Sequence, residues 1–383
     1  MMIYLDNAAT SFPKPETVIA GMQDCMYRYC ANPGRGGHSM SLESGRAVFE
    51  AREALSCLFN ISDPTRLCFT KNATEALNIA IKGVLNEGDH VITTSMEHNS
   101  VLRPLKTVQR DMGIELSFMS SNEYGETFPD TLLKNIKPNT RLIISTISSN
   151  VNGIVMPVRE FGKIAREKGI LFLVDAAQGA GTLEIDVEEM YMDMMAFPGH
   201  KGLLGPQGTG GLYVREGISI RPIMQGGTGS SSEYVYQPNM MPDLLESGTL
   251  NTPGIIGLKH GIGFICSFGI QNIKVYKHLL VKKMHEELEE CSGLKIYSRS
   301  DIDKNTGIFA FNIEGIDSSE VSYILDKEYG VASRAGLHCA PMAHETLGTV
   351  KSGLVRLSTG CFNTVDDIEK AIYAVKEILN NRR

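Results

Sequence analysis

The strongest constraint on the fold is an alternation, between about residues 64 and 215, of short apolar runs with segments of helical period. Five runs read as strands: Arg66 to Thr70, His90 to Thr94, Arg141 to Thr146, Gly169 to Val174 and Gly210 to Val214. Between them, Thr74 to Val84 places Ala76, Leu77, Ala80, Ile81 and Val84 on one helical face. Val158, Phe161, Ile164 and Ala165 do the same ahead of the fourth run. Strands alternating with amphipathic helices imply an α/β lobe, with a mostly parallel sheet under crossover helices.

Residues 226 to 254 are rich in Gly, Ser, Asn and Pro and read as long loops at a lobe boundary. A second lobe is expected after them. It opens with a long amphipathic helical stretch from about Gly254 to Cys291. It continues with a strand over Gly307 to Ile313, a helix near Ser318 to Tyr329, a strand ending near Ser358 and a final helix over Val365 to Leu379. At 383 residues and 42% hydrophobic side chains the chain can bury more than one core. It has no internal repeat.

The formal net charge of -7, with no Lys/Arg block, argues against nucleic acid or an anionic membrane as the main partner but leaves room for a small anionic ligand. No apolar run approaches the roughly 20 residues that span a bilayer. The start, Met1-Met2-Ile3-Tyr4-Leu5-Asp6, lacks a basic segment followed by an apolar one, so a cytoplasmic location is expected. The eight cysteines are scattered without a C-x-x-C pair, which indicates neither a disulfide framework nor a metal site. Cys25 and Cys30 are expected on one helix as packing residues.

Chemistry gathers after the strands, where open α/β sheets bind ligands. Asp175 closes Gly169-Ile170-Leu171-Phe172-Leu173-Val174-Asp175, and Lys201 sits in the turn Phe197-Pro198-Gly199-His200-Lys201-Gly202. Alone, a loop lysine or a strand-terminal aspartate is most often solvated or structural. Together they suit pyridoxal 5'-phosphate: the amine forms a Schiff base with the aldehyde, and the carboxylate keeps the ring nitrogen protonated. Asn72-Ala73-Thr74-Glu75 opens a helix whose free N–H groups and Thr74 hydroxyl suit a phosphate, though Thr74 reads equally well as a plain N-cap. His98 is placed to stack on a planar ring, and the amides of Asn150 and Gln178 to bond a ring hydroxyl.

The ordered set Tyr4-Leu5-Asp6-Asn7-Ala8-Ala9-Thr10, Asn72-Ala73-Thr74-Glu75, His98, Asn150, Asp175-Ala176-Ala177-Gln178 and Gly199-His200-Lys201 resembles the class V aminotransferases, which have the fold-type I architecture of pyridoxal phosphate enzymes. The resemblance covers nearly the whole chain. It implies a large cofactor domain over residues 15–253 with a mixed, mostly parallel sheet. It also implies a smaller α+β domain from residues 1–14 and 254–383, and a homodimer with its sites at the interface. Cofactor contacts carried over are Ala73, Thr74, His98, Asn150, Asp175, Gln178, His200 and Lys201, with Thr249 supplied by the partner subunit.

Within that family, Arg334-Ala335-Gly336-Leu337-His338-Cys339 followed by Arg356 resembles the group II cysteine desulfurases and selenocysteine lyases. The resemblance implies conversion of L-cysteine to L-alanine, with a persulfide formed on Cys339 and passed to a sulfur-acceptor protein. Lys201, Cys339 and His98 are then catalytic, and Arg356, Asn150, Arg334 and His338 bind substrate. A thiolate can attack a substrate sulfur and retain it, and Arg334, His338 and the cofactor's charge are expected to lower its pKa. The planar fork of Arg356 suits a carboxylate. Cys361 has no basic neighbour in sequence and is expected to pack.

Three positions depart from the pattern. Pro198 stands where many such enzymes carry a phosphate-binding serine, Leu337 replaces a histidine and Ala73 a threonine. These mark a divergent branch. Three alternatives stay open: release of selenide from L-selenocysteine, another class V reaction such as transamination, and a non-catalytic sulfur-relay or binding protein on an inherited enzyme fold, against which the intact set of Lys201, Asp175, His98, Gln178 and Arg356 argues.

Overall fold

In the computed structural model, which describes residues 2–34, 36–230 and 233–381, the alternating region forms one seven-stranded sheet. The chain opens with β1 (Ile3–Tyr4), α1 (Glu16–Arg28) and α2 (Ser39–Phe59). Then follow β2 (Leu67–Thr70), α3 (Ala73–Val84), β3 (His90–Thr94), α4 (Asn99–Met112), β4 (Glu115–Met119) and α5 (Pro129–Asn135). The lobe closes with β5 (Thr140–Thr146), α6 (Val158–Lys168), β6 (Leu171–Asp175), β7 (Met194–Pro198) and β8 (Gly210–Val214). Across the sheet the order is β2-β8-β7-β6-β5-β3-β4. Only β8 runs against its neighbours, so the other six strands end on the same side.

Period-two alternation sorts the strand side chains onto two faces. Ile92, Ile143, Phe172 and Met195 join the core under α2 and α6, while Val91, Leu142, Leu173 and Met194 join the core under α3 and α4. Helix ends follow from local chemistry. The Asn72 side chain accepts the Glu75 N–H at 2.9 Å and caps α3, a contact worth about 1 kcal/mol. Gly113 and Gly169 end α4 and α6 at φ of 64° and 66°, where a side chain would be strained.

All five expected strands form, and two more join them. The first, β4, is an edge strand with only Met119 buried, so its alternation is weak in sequence. The second, β7, is buried throughout but ends in Pro198, which argues against a strand unless, as here, it lies at the terminus.

The second lobe contains α7 (Thr252–Phe268), α8 (Ile270–Leu288), β9 (Leu294–Ile296), β10 (Ile308–Ile313), α9 (Ser318–Tyr329), β11 (Val331–Ala332), β12 (Arg334–Gly336), α10 (Pro341–Thr346), β13 (Leu354–Ser358) and α11 (Val365–Asn380). The helical stretch expected over 254–291 consists of two helices, bent by 80° at Gly269, whose φ of 88° few side chains tolerate. An antiparallel sheet of order β12-β13-β10-β9 packs Phe309, Phe311, Val355 and Leu357 against α8 and α11. The N-terminus belongs here too: β1 pairs with β11, and Leu5 enters the same core. Cys25 is buried in α1 as expected, but Cys30 lies past the helix and is exposed.

Candidate active site

The ends of five of the six co-directional strands (all but β4), with β12 and β13, surround a cavity of about 300 Å³. Its lining includes Ala73 and Thr74 after β2, His98 and Ser100 after β3, Asn150 after β5, Asp175 and Gln178 after β6, His200 and Lys201 after β7, and Arg334, His338 and Arg356 from the second lobe. The strand-end rule therefore collects most of the expected site in one place.

Asp175 ends a fully buried strand, and its Oδ1 accepts the Ala177 N–H at 2.9 Å. Burial raises its pKa, opposed by that hydrogen bond and by Lys201. Burial also pulls the Lys201 amine down to about 8, against the Asp175 carboxylate, which raises it; Arg356 and Arg334 add to the fall. An amine so placed is far better able to be neutral near pH 8 than an exposed lysine.

His98 caps α4 through Nδ1, which accepts the Ser100 N–H at 3.0 Å and lies 2.8 Å from the Ser100 hydroxyl. The ring is therefore neutral with its proton on Nε2, and burial, then Lys201, hold its pKa near 4. The Ser100 hydroxyl in turn lies 2.8 Å from that of Thr74. Ser100 is a site residue that the sequence reading missed; its position one step into a histidine-capped helix was the available signal. Asn72, not Thr74, caps α3, which leaves the Thr74 side chain in the cavity.

The N-terminal motif braces this arrangement. The His200 carbonyl, next to Lys201, accepts the Ser11 N–H at 3.1 Å and the Lys14 ammonium at 2.8 Å. Gln178 donates to the Ala8 carbonyl at 3.0 Å. Arg356, 1% exposed, donates from Nη2 to Asp6 at 2.7 Å and from Nη1 to the Asn150 carbonyl at 2.7 Å, while its buried Nε has no partner. A buried guanidinium N–H without an acceptor is a polar group that this chain alone leaves unsatisfied.

Glu97, also missed, lies fully buried beside this set. Its Oε1 accepts from the Thr94 hydroxyl at 2.6 Å and the Thr146 N–H at 2.9 Å, and its Oε2 is unpartnered. Burial raises its pKa to about 8.

Two readings of local charge change. His338 cannot lower the pKa of a neighbouring thiol by charge, because burial, then Arg356, hold its own near 2 and the ring is neutral. Cys361 does have basic neighbours: Lys277 and Lys14 both act on it, and it lines a smaller cavity of about 40 Å³ that shares Lys201 and Gln178 with the main one. Cys339 is exposed and outside the cavity lining, although His338 beside it lines the wall. Thr249 faces a separate cavity of about 190 Å³ and does not reach this chain's own site. Among the described residues no cluster of His, Cys, Asp and Glu is arranged to hold a metal.

The residues present fit pyridoxal phosphate: a low-pKa amine, a buried carboxylate, amide groups and a helix N-terminus with hydroxyls face one cavity.

Comparison with known proteins agrees. The sequence model of the family described as aminotransferase class-V matches residues 3–371. A probable cysteine desulfurase of Methanothermobacter thermautotrophicus is 36% identical over 98% of this chain and 94% of its own length. The apo structure of a cysteine desulfurase from Thermococcus onnurineus superimposes with a TM-score of 0.93 at 33% identity, covering 99% of this chain and 95% of that one. For the Escherichia coli cysteine desulfurase CsdA the values are 0.88 and 27%, over 99% and 95%. With its site at the same strand ends and this likeness running end to end, the chain belongs to the class V aminotransferase family.

Proposed function

We propose that this chain is a pyridoxal phosphate-dependent cysteine desulfurase that converts L-cysteine to L-alanine and takes the sulfur onto Cys339. The observation that carries the reading is the meeting of Lys201, Asp175 and the half-satisfied Arg356 guanidinium in one cavity. The activity named for the relatives points to cysteine over selenocysteine.

Bound here, the cofactor supplies an aldehyde for the Lys201 amine and a ring that accepts an electron pair. Asp175 would hold its ring nitrogen protonated, and Gln178 and Asn150 would bond its hydroxyl. Ala73, Thr74 and His200, with Thr249 of the partner subunit, would hold the phosphate. Ser100 offers a hydroxyl on that side, which offsets the one lost at Pro198.

Arg356 takes the substrate carboxylate through Nε and a free Nη2 proton, with Arg334 adding positive charge from the paired strand. Lys201 Nζ removes the Cα proton, and His98, neutral and protonated on Nε2, stacks on the ring and relays protons. The Cys339 thiolate then attacks the substrate sulfur. A sulfur–sulfur bond forms, the substrate carbon–sulfur bond breaks with its electron pair taking up a proton at Cβ, and a proton returned from Lys201 to Cα completes alanine. An exposed Cys339 suits onward transfer of the persulfide to an acceptor protein.

We further propose a smaller domain from residues 1–14 and 254–383, a homodimer and a cytoplasmic location. Exposed Tyr234, Val235, Tyr236 and Met240 support a subunit contact, and among the described residues no single helix is long and apolar enough to cross a membrane.

The test is alanine production from L-cysteine and L-selenocysteine by wild type and by Cys339→Ala. The variant should lose alanine formation from cysteine while its cofactor absorption persists. Undiminished turnover would remove Cys339 from the mechanism, and a keto acid in place of alanine would establish transamination instead.

A further inference from the structure

His338 and Cys339 are consecutive non-glycine residues with left-handed backbones, at φ of 48° and 58°. Each such residue costs on the order of 1 kcal/mol or more, so the turn persists only where surrounding contacts hold it. Two are backbone contacts: the His338 carbonyl accepts the Asn150 amide at 2.7 Å, and the Cys339 carbonyl accepts the Asn99 N–H at 2.7 Å.

The third hold is a chain of side chains that leads away from the cavity. His338 Nε2 lies 3.3 Å from the Arg334 carbonyl, His338 Nδ1 lies 3.5 Å from His344 Nε2, and His344 Nδ1 lies 2.8 Å from the Thr349 hydroxyl. The rings are nearly parallel, 13° apart with centroids at 5.6 Å. All three residues are buried, His344 completely.

Taken as hydrogen bonds, these three side-chain contacts fit together in one proton assignment. A carbonyl only accepts, so His338 Nε2 carries the proton and Nδ1 is an acceptor. His344 must then donate from Nε2, its Nδ1 accepts, and the Thr349 hydroxyl donates. Both rings are neutral in this arrangement, as their burial requires.

We propose that His344 is a positioning residue for Cys339: by fixing the tautomer and orientation of His338 it holds the left-handed turn that presents the thiol. The inference rests on the reading of Cys339 as the sulfur acceptor, and it assigns a role to the short helix α10 that follows it. His344 does not line the cavity, whereas His338 does.

The experiment uses cofactor-loaded enzyme carrying His344→Leu, His344→Gln, Thr349→Val or Thr349→Ser. Three readouts are taken: cofactor absorption, kcat and KM for alanine formation, and the rate at which iodoacetamide alkylates Cys339, followed by mass spectrometry. His344→Leu should keep the absorption spectrum and change KM little, yet lower kcat by roughly 10- to 100-fold, the scale of a misplaced reacting group. Its Cys339 alkylation rate should change as well. Gln donates from a position close to Nε2, so His344→Gln should recover much of the loss; Thr349→Ser should behave as wild type and Thr349→Val should not. Unchanged kcat and alkylation in His344→Leu would overturn the proposal, as would an equal loss in His344→Gln. If Cys339→Ala retains full activity the underlying reading fails separately, and the alkylation rates still decide the positioning role.

Discussion

Arg356 and Asp6 form a 2.7 Å ion pair between the last strand of the second lobe and the sixth residue of the chain. The guanidinium is almost wholly buried while the Asp6 side chain keeps 21% exposure, so the pair is anchored on the arginine side. A parallel bridge between Asp6 and Ser358 fixes the two backbones beside it. Asp6 and the Asn150 carbonyl thereby orient the guanidinium, and its Nε keeps no partner within the chain.

Asp6→Ala should therefore damage both stability and binding. Breaking a fully buried ion pair costs about 3–5 kcal/mol; with Asp6 partly solvated, we expect roughly 2–3 kcal/mol in urea unfolding. KM for cysteine should rise by about tenfold, the equivalent of 1.4 kcal/mol. Arg356→Lys should raise KM at least as much, because an ammonium cannot reproduce the fork. A KM within twofold of wild type in both variants would remove this pair from substrate binding.

The Lys201 amine gives a pH signature. Its pKa of about 8 lies below the ordinary 10.5 because its ammonium is desolvated. Between pH 8 and 10.5 the unfolded chain binds more protons here than the folded one, so this group makes stability rise with pH across that window. In cofactor-free protein, an amine-reactive probe mapped by mass spectrometry should label Lys201 half-maximally near pH 8, well before surface lysines. A midpoint near 10 would contradict the desolvated site.

Glu97 should act in the opposite sense. It stays protonated to about pH 8 when folded, whereas an unfolded glutamate loses its proton near 4.5. Its contribution to stability therefore falls as pH rises from 4.5 to 8, by about 1.4 kcal/mol for each tenfold difference in proton affinity. Glu97→Gln, neutral at every pH, should match wild type near pH 5 and exceed it near pH 8 in urea midpoint. Parallel pH curves for the two proteins would mean that Glu97 is ionised in the fold.

A second buried ion pair, Arg52 with Glu246, is bidentate at 2.8 and 2.9 Å and ties α2 to the loop before α7. Glu246→Gln leaves the guanidinium buried without a counter-charge, and we expect a loss of about 3–5 kcal/mol. Differential scanning calorimetry measures it, and Arg52→Met with Glu246→Leu together should recover most of the loss.

The legible part of the site is the part encoded next to itself. Asp175 ends an apolar run, Lys201 sits in a glycine turn, and Asn72 opens a helix. Ser100 and Glu97 flank His98 in sequence, yet their meaning depends on Thr74 and Thr146, which other strands deliver. Asp6 and Arg356 are 350 positions apart, and no periodicity links them. Cys361 appears isolated until folding brings Lys14 and Lys277 beside it.

The sequence by itself determined most of the architecture of the first lobe, because strand and helix periods, caps and glycine turns act over a few residues. The tertiary structure decided three things. It bent the expected helical stretch at Gly269, made His338 a neutral member of a buried chain instead of a charge near Cys339, and braced Lys201 and Arg356 with the N-terminal segment. Each depends on which distant groups share a desolvated space. Desolvation and long-range hydrogen bonding have no counterpart in the order of neighbouring residues.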